Sequence, residues 1–447
     1  MISNRKKIIF VENRYRTDLW YVIAEYYQKL GHEVHIIFQN LAFDKKNSSF
    51  NNHVIKYPSP SAEDLNTEEK KYYEKIITAH RGINYFGINN YSFIKYYDKK
   101  IRKIIDKIKP NFVFGESTLF HELLIINYCK EIGILYLHPS SSRYPKNRFS
   151  FYLYDSLTPY KGSGEELDFE TAQEMVNKIA ERKVLPDYMN RSLKKPSILE
   201  KIYDKLLLII EHYKGEKFNT PSPFTKLYLD FKFKFILIFF NFLSRPFIKN
   251  SAGLNILYPM QMQPEANIDV WGYPHNNQAK IIRDIIKNIS KKDRLFIKPN
   301  PKSKYEIDFR ILKLIKKHPN KVFAIRSSVA MNEIIDDIDL VITVTGTISI
   351  ECVFKNKPVL IFGQGIQSSQ NNCVKINNIS EISKYLELLR KNIFPKLSDD
   401  EKIIFINELL SSSYHGINGD GLHNRSYIND EKNLNRLKTA YGNIIQN

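Results

Sequence analysis

The stretch Asp339 to Gly363, DLVITVTGTISIECVFKNKPVLIFG, decides the fold class of this chain. The apolar, β-branched run 340–344 is typical of a buried strand, and a second such run follows at 359–362. Between them, the apolar spacing of residues 349–354 predicts a helix. A strand, a helix and a second buried strand are the repeating unit of a parallel, Rossmann-like sheet.

The turn between the first strand and the helix carries small hydroxyl residues and a glycine, Thr345-Gly346-Thr347. Free backbone N–H groups at a helix start, together with the positive end of the helix dipole, favour phosphate binding. Ser349 lies in the first turn of the predicted helix. Glu351 lies on the same face as Thr347, where it can accept hydrogen bonds from ribose hydroxyls. The motif therefore predicts a nucleotide site, and an ordinary turn with a capping threonine is the alternative.

The rest of the chain repeats this alternation of strands and helices in two blocks. The first block has predicted strands at 8–11, 34–38, 53–57, 112–115 and 134–137. The second has them at 255–259, 294–298 and 322–325, ahead of the opening stretch. We therefore predict an α/β protein with two facing Rossmann-like domains, 1–250 and 251–447, and a helical insertion at 165–250.

Length, charge and cysteine usage restrict the class of protein. The 447 residues suit two domains, and the net charge of +19, from 67 basic and 48 acidic residues, favours an anionic partner. The basic residues are spread rather than gathered in one motif, which argues against a nucleic acid. Three scattered cysteines, a short N-terminal apolar run and the lack of a long uncharged stretch predict a cytoplasmic protein.

The segment Lys226 to Lys249, KLYLDFKFKFILIFFNFLSRPFIK, is basic and rich in aromatic residues. A helix of this composition is typical of a membrane interface, so an anionic inner-membrane surface is a predicted partner. A helix packed in the core, with lysine side chains that reach out to solvent, is the alternative.

Three motifs in order resemble the capsule polysaccharide synthesis glycosyltransferases, a family of GT-B enzymes that includes Kdo transferases. They are YPMQMQPEANIDVWG at 258–272, FIKPNP at 296–301 and the opening stretch, and SSSRYPKNRFSF at 140–151 adds a weaker match. The resemblance covers mainly residues 250–365. It implies a nucleotide-sugar donor on the C-terminal domain and a glycan or glycolipid acceptor mainly on the N-terminal one.

The resemblance also assigns donor-binding residues. Lys298 and Asn300 stand where the family has Lys-x-His-Pro, whose histidine lies near the nucleotide. Asparagine can donate a hydrogen bond but cannot supply a proton or carry charge. The family's phosphate-holding turn matches 345–347, and Arg326 and Ser327, at the tip of a predicted strand, complete the predicted donor site.

Acceptor-binding residues are predicted in the first block, because ligands of parallel sheets lie beyond the carboxyl ends of the strands. Arg14 follows the first predicted strand. A loop from His138 to Arg148 follows the fifth, and it carries Ser142 and Arg143. For His138, a structural role is the alternative.

Two carboxylates are candidates for catalysis. Gln261 and Glu265 form a Gln-x-x-x-Glu pattern similar to the family's Gln-x-x-x-Asp, where a carboxylate can act as nucleophile or base. A loop cap and a helix start are the alternatives for these two residues. Glu116, at a strand tip in the first block, is the rival carboxylate, or else a solvated acid at a helix start. The Asp-x-Asp at 337–339 precedes a strand, so we interpret it as structural and predict neither a metal nor a cofactor.

The leading functional hypothesis is a metal-independent glycosyltransferase, peripheral on the inner membrane. It would move a sugar from a nucleotide-sugar, for example a CMP-Kdo-like donor, to a growing surface polysaccharide or its lipid-linked acceptor. A nucleotide-sugar 2-epimerase or a polyol-phosphate transferase has a similar phosphate site, although the basic segment 226–249 weighs against an epimerase. An inactive scaffold of a polysaccharide assembly complex is the third hypothesis, which Asn300 keeps open.

Overall fold

The computed structural model of this chain describes residues 5–44, 50–59, 63–186, 189, 198–215, 217–420 and 426–446. The chain forms two compact units, each built from separate segments of sequence. The first comprises Met1–Glu166, Pro186–Thr225 and Leu409–Asn447, and the second Leu167–Leu185 and Lys226–Glu408. This division differs from the single boundary near residue 250 that the sequence predicted.

Strands form two sheets. In chain order they are β1 (Lys7–Val11), β2 (Glu33–Phe38), β3 (Asn51–Val54), β4 (Phe112–Phe114), β5 (Leu135–Ser141), β6 (Arg148–Leu153), β7 (Asn255–Pro259), β8 (Arg294–Lys298), β9 (Val322–Ala324), β10 (Leu340–Thr343), β11 (Val359–Ile361), β12 (Cys373–Lys375) and β13 (Tyr414–His415). The first sheet has the order β13-β6-β5-β4-β1-β2-β3 and the second β12-β11-β10-β7-β8-β9. All pairings in the second sheet are parallel. The predicted α/β fold class, with two Rossmann-like sheets, is confirmed.

Helices connect and flank these strands. They are α1 (Thr17–Lys29), α2 (Thr67–Tyr72), α3 (Glu74–Ala79), α4 (Arg81–Tyr85), α5 (Ser92–Ile108), α6 (Phe120–Glu131), α7 (Phe169–Ala180), α8 (Ile198–Ile210), α9 (Pro223–Leu243), α10 (Ala266–Asp269), α11 (Gln278–Asn288), α12 (Phe309–Lys317), α13 (Ile348–Phe354), α14 (Ile382–Arg390), α15 (Asp399–Ser411), α16 (Ser426–Asn429) and α17 (Glu431–Ile445). Helices α7, α8 and α9 lie within the predicted helical insertion at 165–250. Within the described residues, no helix combines the length and the apolar character needed to cross a membrane.

Each unit has its own hydrophobic core. In the first, Phe10 of β1 packs against Trp20 of α1 and Tyr441 of the C-terminal helix α17. In the second, α9 contributes Ile236 and Phe240 to a core built on β7, β8 and β10. The two ends of the chain therefore share one core, and a boundary at a single residue cannot describe that arrangement.

The first sheet ends in an antiparallel edge that the sequence analysis missed. β5 continues to Ser141, where the sequence predicted a strand that ends at Leu137 and a loop from His138 to Arg148. β6 returns antiparallel to β5, and β13 from the C-terminal segment pairs with β6. The predicted loop is reduced to a turn at residues 142–147.

Arg148 attaches the C-terminal segment to this edge. It is only 2% exposed, and its guanidinium donates to Oγ and the carbonyl oxygen of Ser413 at 2.8 and 2.9 Å. It also donates to the carbonyl oxygen of Leu410 at 3.1 Å and pairs with Glu165 at 2.7 Å. A buried guanidinium is stable only when its donors are satisfied, so these partners hold one another in place.

We expect Arg148→Met to lower the free energy of unfolding of the first unit by about 3–5 kcal/mol, because it leaves buried carbonyl groups without their donor. Urea unfolding followed by circular dichroism measures this change. Arg310→Met, which removes an exposed guanidinium paired with Asp308, is the matched control. Equal stability of the two variants would contradict the role given to Arg148.

Candidate functional site

The second sheet has a topological switch point between β7 and β10. From β7 the chain continues through β8 to β9 on one side, and then through β10, β11 and β12 on the other. In open parallel sheets, ligands bind beyond the carboxyl ends of the strands at such a point. The predicted donor-binding residues lie at or after the ends of β8, β9 and β10, so the sheet brings them to one edge.

A glutamine side chain joins the carboxyl ends of β7 and β10. Gln261 donates from Nε2 to Oγ1 of Thr345 at 2.9 Å and accepts from the Thr345 N–H at 3.1 Å. Gln278 of α11 accepts from the N–H of Gln261 at 2.9 Å and donates to its carbonyl oxygen at 2.7 Å. All three residues are buried. The turn after β10 is therefore held by side chains from two neighbouring elements.

This contact gives Gln261 a structural role. One donor and one acceptor of its amide are engaged with Thr345, so the side chain positions the turn. The catalytic role of Gln261 stays a prediction.

Glu265 lies near the same turn. It precedes α10 and is half-buried, and its N–H donates to Oδ2 of Asp269 at 2.9 Å. The hydroxyl of Thr345 donates to the carbonyl oxygen of Asn267, which belongs to α10. The catalytic role of Glu265 stays a prediction, now with a place beside the Thr345 turn.

The turn at 345–347 is closely packed. Ser349 is fully buried, donates from Oγ to the carbonyl oxygen of Gly346 at 2.6 Å and accepts from Gln367 at 2.9 Å. A Cβ on Gly346 would lie 2.5 Å from Oγ1 of Thr343, so the position admits only glycine without a shift. Ser349 is thus engaged within the protein, while Gly346 and Thr347 are half-buried.

Lys298, the last residue of β8, is a buried cation. It is 4% exposed, and its Nζ donates one hydrogen bond within the described residues, to the carbonyl oxygen of Ser327 at 3.3 Å. Burial lowers the pKa of Lys298 to about 8, with a further contribution from the nearby charge of Arg182 and a smaller opposing one from Glu333. Within the part of the chain that the structure describes, its charged form therefore lacks the close carboxylate that buried lysines usually have.

Arg182 is the site residue that sequence reasoning missed. It follows α7, and its N–H donates to the carbonyl oxygen of Ile179 at 3.0 Å, in a helix ending of the Schellman type. Arg182 has a φ of 57°, in the left-handed region that glycine usually occupies at this position. The backbone conformation alone would favour glycine at position 182, so the contacts of the side chain account for the arginine.

The guanidinium of half-buried Arg182 pairs with the carboxylate of Glu351, which is buried. One oxygen of the residue predicted to bind ribose is therefore engaged by an arginine. The buried cation Lys298 lies close to this pair, because the charge of Arg182 contributes to the lowered pKa of Lys298. An anionic ligand would balance the excess positive charge.

The remaining predicted donor-binding residues lie farther out on the same edge. Asn300 accepts from the N–H of Lys302 at 2.8 Å and closes a turn, so its carboxamide oxygen is engaged locally. Arg326 is exposed, and Ser327 supplies the carbonyl group that meets Lys298.

In the first unit, Glu116 is buried, not solvated. Its Oε1 lies 2.6 Å from Nε of Arg16. Burial raises the pKa of Glu116, and the charge of Arg16 opposes this rise. The solvated alternative is wrong, and Glu116 forms an internal ion pair that any catalytic role would have to break.

Arg14 is likewise paired inside the first unit, with Glu211 at 2.8 Å. It lines a cavity at the carboxyl ends of β1 and β4 together with Glu12, whose pKa burial raises to about 8. The cavity measures about 50 Å³, well below the ~150 Å³ that holds a benzene molecule. It is too small, as it stands, for an acceptor sugar.

The acceptor-binding residues around the β5–β6 turn are not brought together with Arg14 in this cavity. His138 lies within β5, not in a loop, and is fully buried with Nε2 2.7 Å from the carbonyl oxygen of Ser156. Burial lowers the pKa of His138 to about 4, so the ring is neutral and inaccessible. Ser142 is buried in the turn, and Arg143 is half-buried there with a φ of 70°.

The Asp-x-Asp at 337–339 is structural, as predicted. Asp339 accepts from the N–H of Asn255 at 2.7 Å, and Asp337 pairs with Lys249 at 2.8 Å. Among the described residues, no group of three or more His, Cys, Asp or Glu side chains is placed to hold a metal ion.

No protein-family model and no curated protein sequence matches the chain. Similar solved structures include a β-Kdo 2,7 transferase, KpsC of Thermosulfurimonas dismutans, at 11% identity, which covers 97% of this chain and 100% of that one, with a TM-score of 0.37. A glycosyltransferase from Rickettsia africae is 13% identical, with 97% and 99% covered and a TM-score of 0.29. A UDP-GlcNAc 2-epimerase from Methanocaldococcus jannaschii, in complex with UDP-GlcNAc and UDP, is 16% identical, with 90% and 99% covered and a TM-score of 0.25.

Neighbours of this chain thus include both glycosyltransferases and 2-epimerases. Likeness of this degree does not establish an activity or membership of the capsule polysaccharide synthesis family. The function has to be inferred from the chain's own residues.

We expect Gln261→Glu to lower the free energy of unfolding by about 1–3 kcal/mol, because the carboxylate cannot donate to the buried hydroxyl of Thr345. Urea unfolding measures the change, and Gln364→Glu, at an exposed position of the same unit, is the control. Unchanged stability with lost turnover would support the catalytic role of Gln261 instead.

Proposed function

We propose that this chain is a glycosyltransferase that binds the phosphate of a nucleotide-sugar donor at the carboxyl edge of the second sheet. The observation that carries the proposal is the buried cation Lys298 beside the ion pair of Arg182 and Glu351. Such an arrangement is costly without a ligand and is relieved by an anion. Its position at a switch point is where parallel sheets bind nucleotides.

The donor phosphate would lie between these cations and the turn at 345–347. An arginine binds phosphate through two parallel N–H bonds, and a lysine adds a point charge. Glu351 would then orient Arg182 and could reach a ribose hydroxyl with its second oxygen, while Arg326, Ser327 and Asn300 border the nucleotide. The proposed site uses protein cations alone and no metal.

The acceptor is a glycan or glycolipid of a growing surface polysaccharide, bound mainly by the first unit. We propose a cytoplasmic enzyme that works at the membrane surface, where lipid-linked acceptors are held. Asn300 leaves the donor class open, and a CMP-Kdo-like donor is one candidate. An asparagine at this position can donate a hydrogen bond to a leaving phosphate but cannot protonate it.

In the proposed reaction, the bond between the anomeric carbon and the phosphate oxygen breaks, and its electrons leave with the nucleotide. Arg182 and Lys298 stabilise the negative charge that develops on the phosphate. The acceptor hydroxyl oxygen forms the new bond to the anomeric carbon. Glu265 acts either as the base that takes the proton of this hydroxyl, or as a nucleophile that first bonds to the anomeric carbon and is then displaced by the acceptor oxygen, whose proton passes to the released carboxylate.

A thermal-shift screen against CMP, UDP, GDP and CDP tests the donor class, because a ligand of the native state raises its stability. We expect one nucleotide to stabilise the protein selectively. Incubation of the matching nucleotide-sugar with and without acceptor glycan then separates the activities. Isomerisation of the sugar without an acceptor would favour the epimerase, and binding without turnover the scaffold.

The pKa of Lys298 predicts a pH dependence of nucleotide binding. The anion binds best when Lys298 is protonated, and the free protein loses this proton as the pH rises through about 8. We therefore expect the affinity for the nucleotide to fall by about ten-fold per pH unit above that value. The fall ends where the pH reaches the pKa of Lys298 in the complex, which the bound phosphate raises. Calorimetric titrations from neutral to alkaline pH measure it.

Lys298→Met should bind the nucleotide weakly and without this fall. Lys313→Met, at an exposed position of α12, should keep both the affinity and its pH dependence. A Lys298→Met variant with the affinity of the native protein would exclude the phosphate from this edge.

We expect Glu265→Gln to lower transfer turnover by about 10²–10⁴-fold with little change in nucleotide affinity, because its charge acts mainly in the transition state. Steady-state transfer assays and calorimetry on one preparation provide both numbers. Glu387→Gln, on an exposed helix position, is the control. Glu116→Gln is a less clean test, since it also removes the ion-pair partner of Arg16. Near-normal turnover of Glu265→Gln would remove Glu265 from the reaction.

A further inference from the structure

Helix α9 has two apolar faces, and only one of them is covered. The helix has 21 residues and is therefore about 30 Å long. On its inner face, Ile236 and Phe240 are buried in the core of the second unit, with Phe233 and Leu237 packed against them. This part of the helix agrees with the core-packed alternative considered from the sequence.

The outer face of α9 exposes large apolar side chains along its whole length. Phe231, Ile238 and Phe242 are 72%, 66% and 83% exposed. The complete set that defines the outer face is Phe224, Leu227, Tyr228, Phe231, Phe235, Ile238, Phe239 and Phe242. At about 100° per residue, these positions fall in one sector about 120° wide. Scattered exposed apolar residues are ordinary, but a continuous face of this size marks a binding surface.

Lysines border the outer face on both sides. Lys232 and Lys234 are exposed, and they lie about 80° to either side of the centre of the apolar sector. Beyond the helix, Arg245 and Lys249 are exposed as well. The one acid between residues 226 and 249, Asp230, pairs with Lys226 at 2.6 Å.

An apolar aromatic sector with a lysine on each flank is the arrangement of a helix that lies in the plane of a membrane interface. The apolar side chains enter the boundary of the acyl chains, and the lysines reach the phosphates of anionic lipids. The charge of this face is complementary to an anionic bilayer. It would give a second copy of the same basic surface no such attraction.

We propose that the outer face of α9 docks the protein on an anionic membrane surface. Docking would place the second unit at the bilayer, where a lipid-linked acceptor is held. In this respect membrane docking rests on the proposed function and extends it. The binding itself does not depend on sugar transfer, because vesicles without glycan or nucleotide suffice to test it.

Helix α8 of the first unit also exposes apolar side chains, among them Leu199, Tyr203 and Leu206. Its exposed basic residue Lys205 follows Asp204 directly, so its charge pattern is mixed. The inference therefore concerns α9, where both flanks are basic.

The first test replaces the apolar sector. The full-length triple variant Phe231→Gln, Ile238→Gln, Phe242→Gln should bind vesicles of phosphatidylcholine and phosphatidylglycerol at least ~100-fold more weakly, since each large side chain removed from water contributes about ten-fold. Co-sedimentation measures binding, and an unchanged thermal unfolding transition shows that the fold is intact. Phe309→Gln, Ile393→Gln, Ile404→Gln removes apolar side chains elsewhere in the second unit that are 54%, 60% and 59% exposed, and it should bind as the native protein does.

The second test replaces the flanking charge. The double variant Lys232→Gln, Lys234→Gln should bind these vesicles about 30-fold more weakly. The native protein should bind vesicles of phosphatidylcholine alone much more weakly than anionic vesicles.

Equal binding of the native protein to neutral and anionic vesicles would overturn the electrostatic part of the proposal. Native protein that binds neither kind, and that sediments as a dimer which the apolar triple variant dissociates, would assign the face to a second copy instead. Transfer activity on a soluble acceptor should survive in every variant, which separates this test from that of the proposed reaction.

Discussion

The candidate site of the second unit depends on one contact, the two hydrogen bonds between the amide of Gln261 and Thr345. At a switch point the loops that follow two neighbouring strands run to opposite sides of the sheet. The hydrogen bonds between the strands therefore do not fix the positions of these two loops relative to each other. The buried amide of Gln261 supplies that constraint, and Gln278 holds Gln261 in turn. A phosphate site built on backbone groups needs such fixed geometry, because its donors must already point at the ligand.

The charges beside this turn work against stability. Lys298 is buried with no close carboxylate among the described residues, and Arg182 occupies a left-handed position where its Cβ is unfavourable. Two unfavourable features at one edge of a well-packed sheet are typical of a binding site, where ligand contacts compensate for them. The polar residues of the first unit differ in this respect, because Glu116 and Arg14 are each balanced by a partner within the protein.

Helix α9 shows why composition alone left two interpretations open. A helix that is apolar on all sides is ordinarily buried. Here the inner side chains are buried in the core and the outer ones are exposed, so both interpretations describe part of the same helix. The position of the lysines, at the border between the two faces, is a property of the folded helix and distinguishes an interfacial surface from an unfinished core.

Local pattern by itself determined most of the fold. Short apolar runs predicted β7 and β8 with their observed bounds, and the alternation of strands and helices predicted two parallel sheets. Burial of one face imposes an apolar period on the residues of a helix or strand, so neighbouring residues carry this information. Tertiary structure alone decided the rest. The antiparallel edge depends on the contact between Arg148 and Ser413, which are far apart in sequence. The packing of α17 in the first core likewise joins residues that are far apart in sequence.

Within the site, the sequence indicated Lys298 and the Thr345 turn. It could not indicate Arg182, because that residue reaches Glu351 only through the packing of α7 against α13. Periodicity records which face of an element is buried, whereas the partner buried against that face is decided by the contacts of the folded chain.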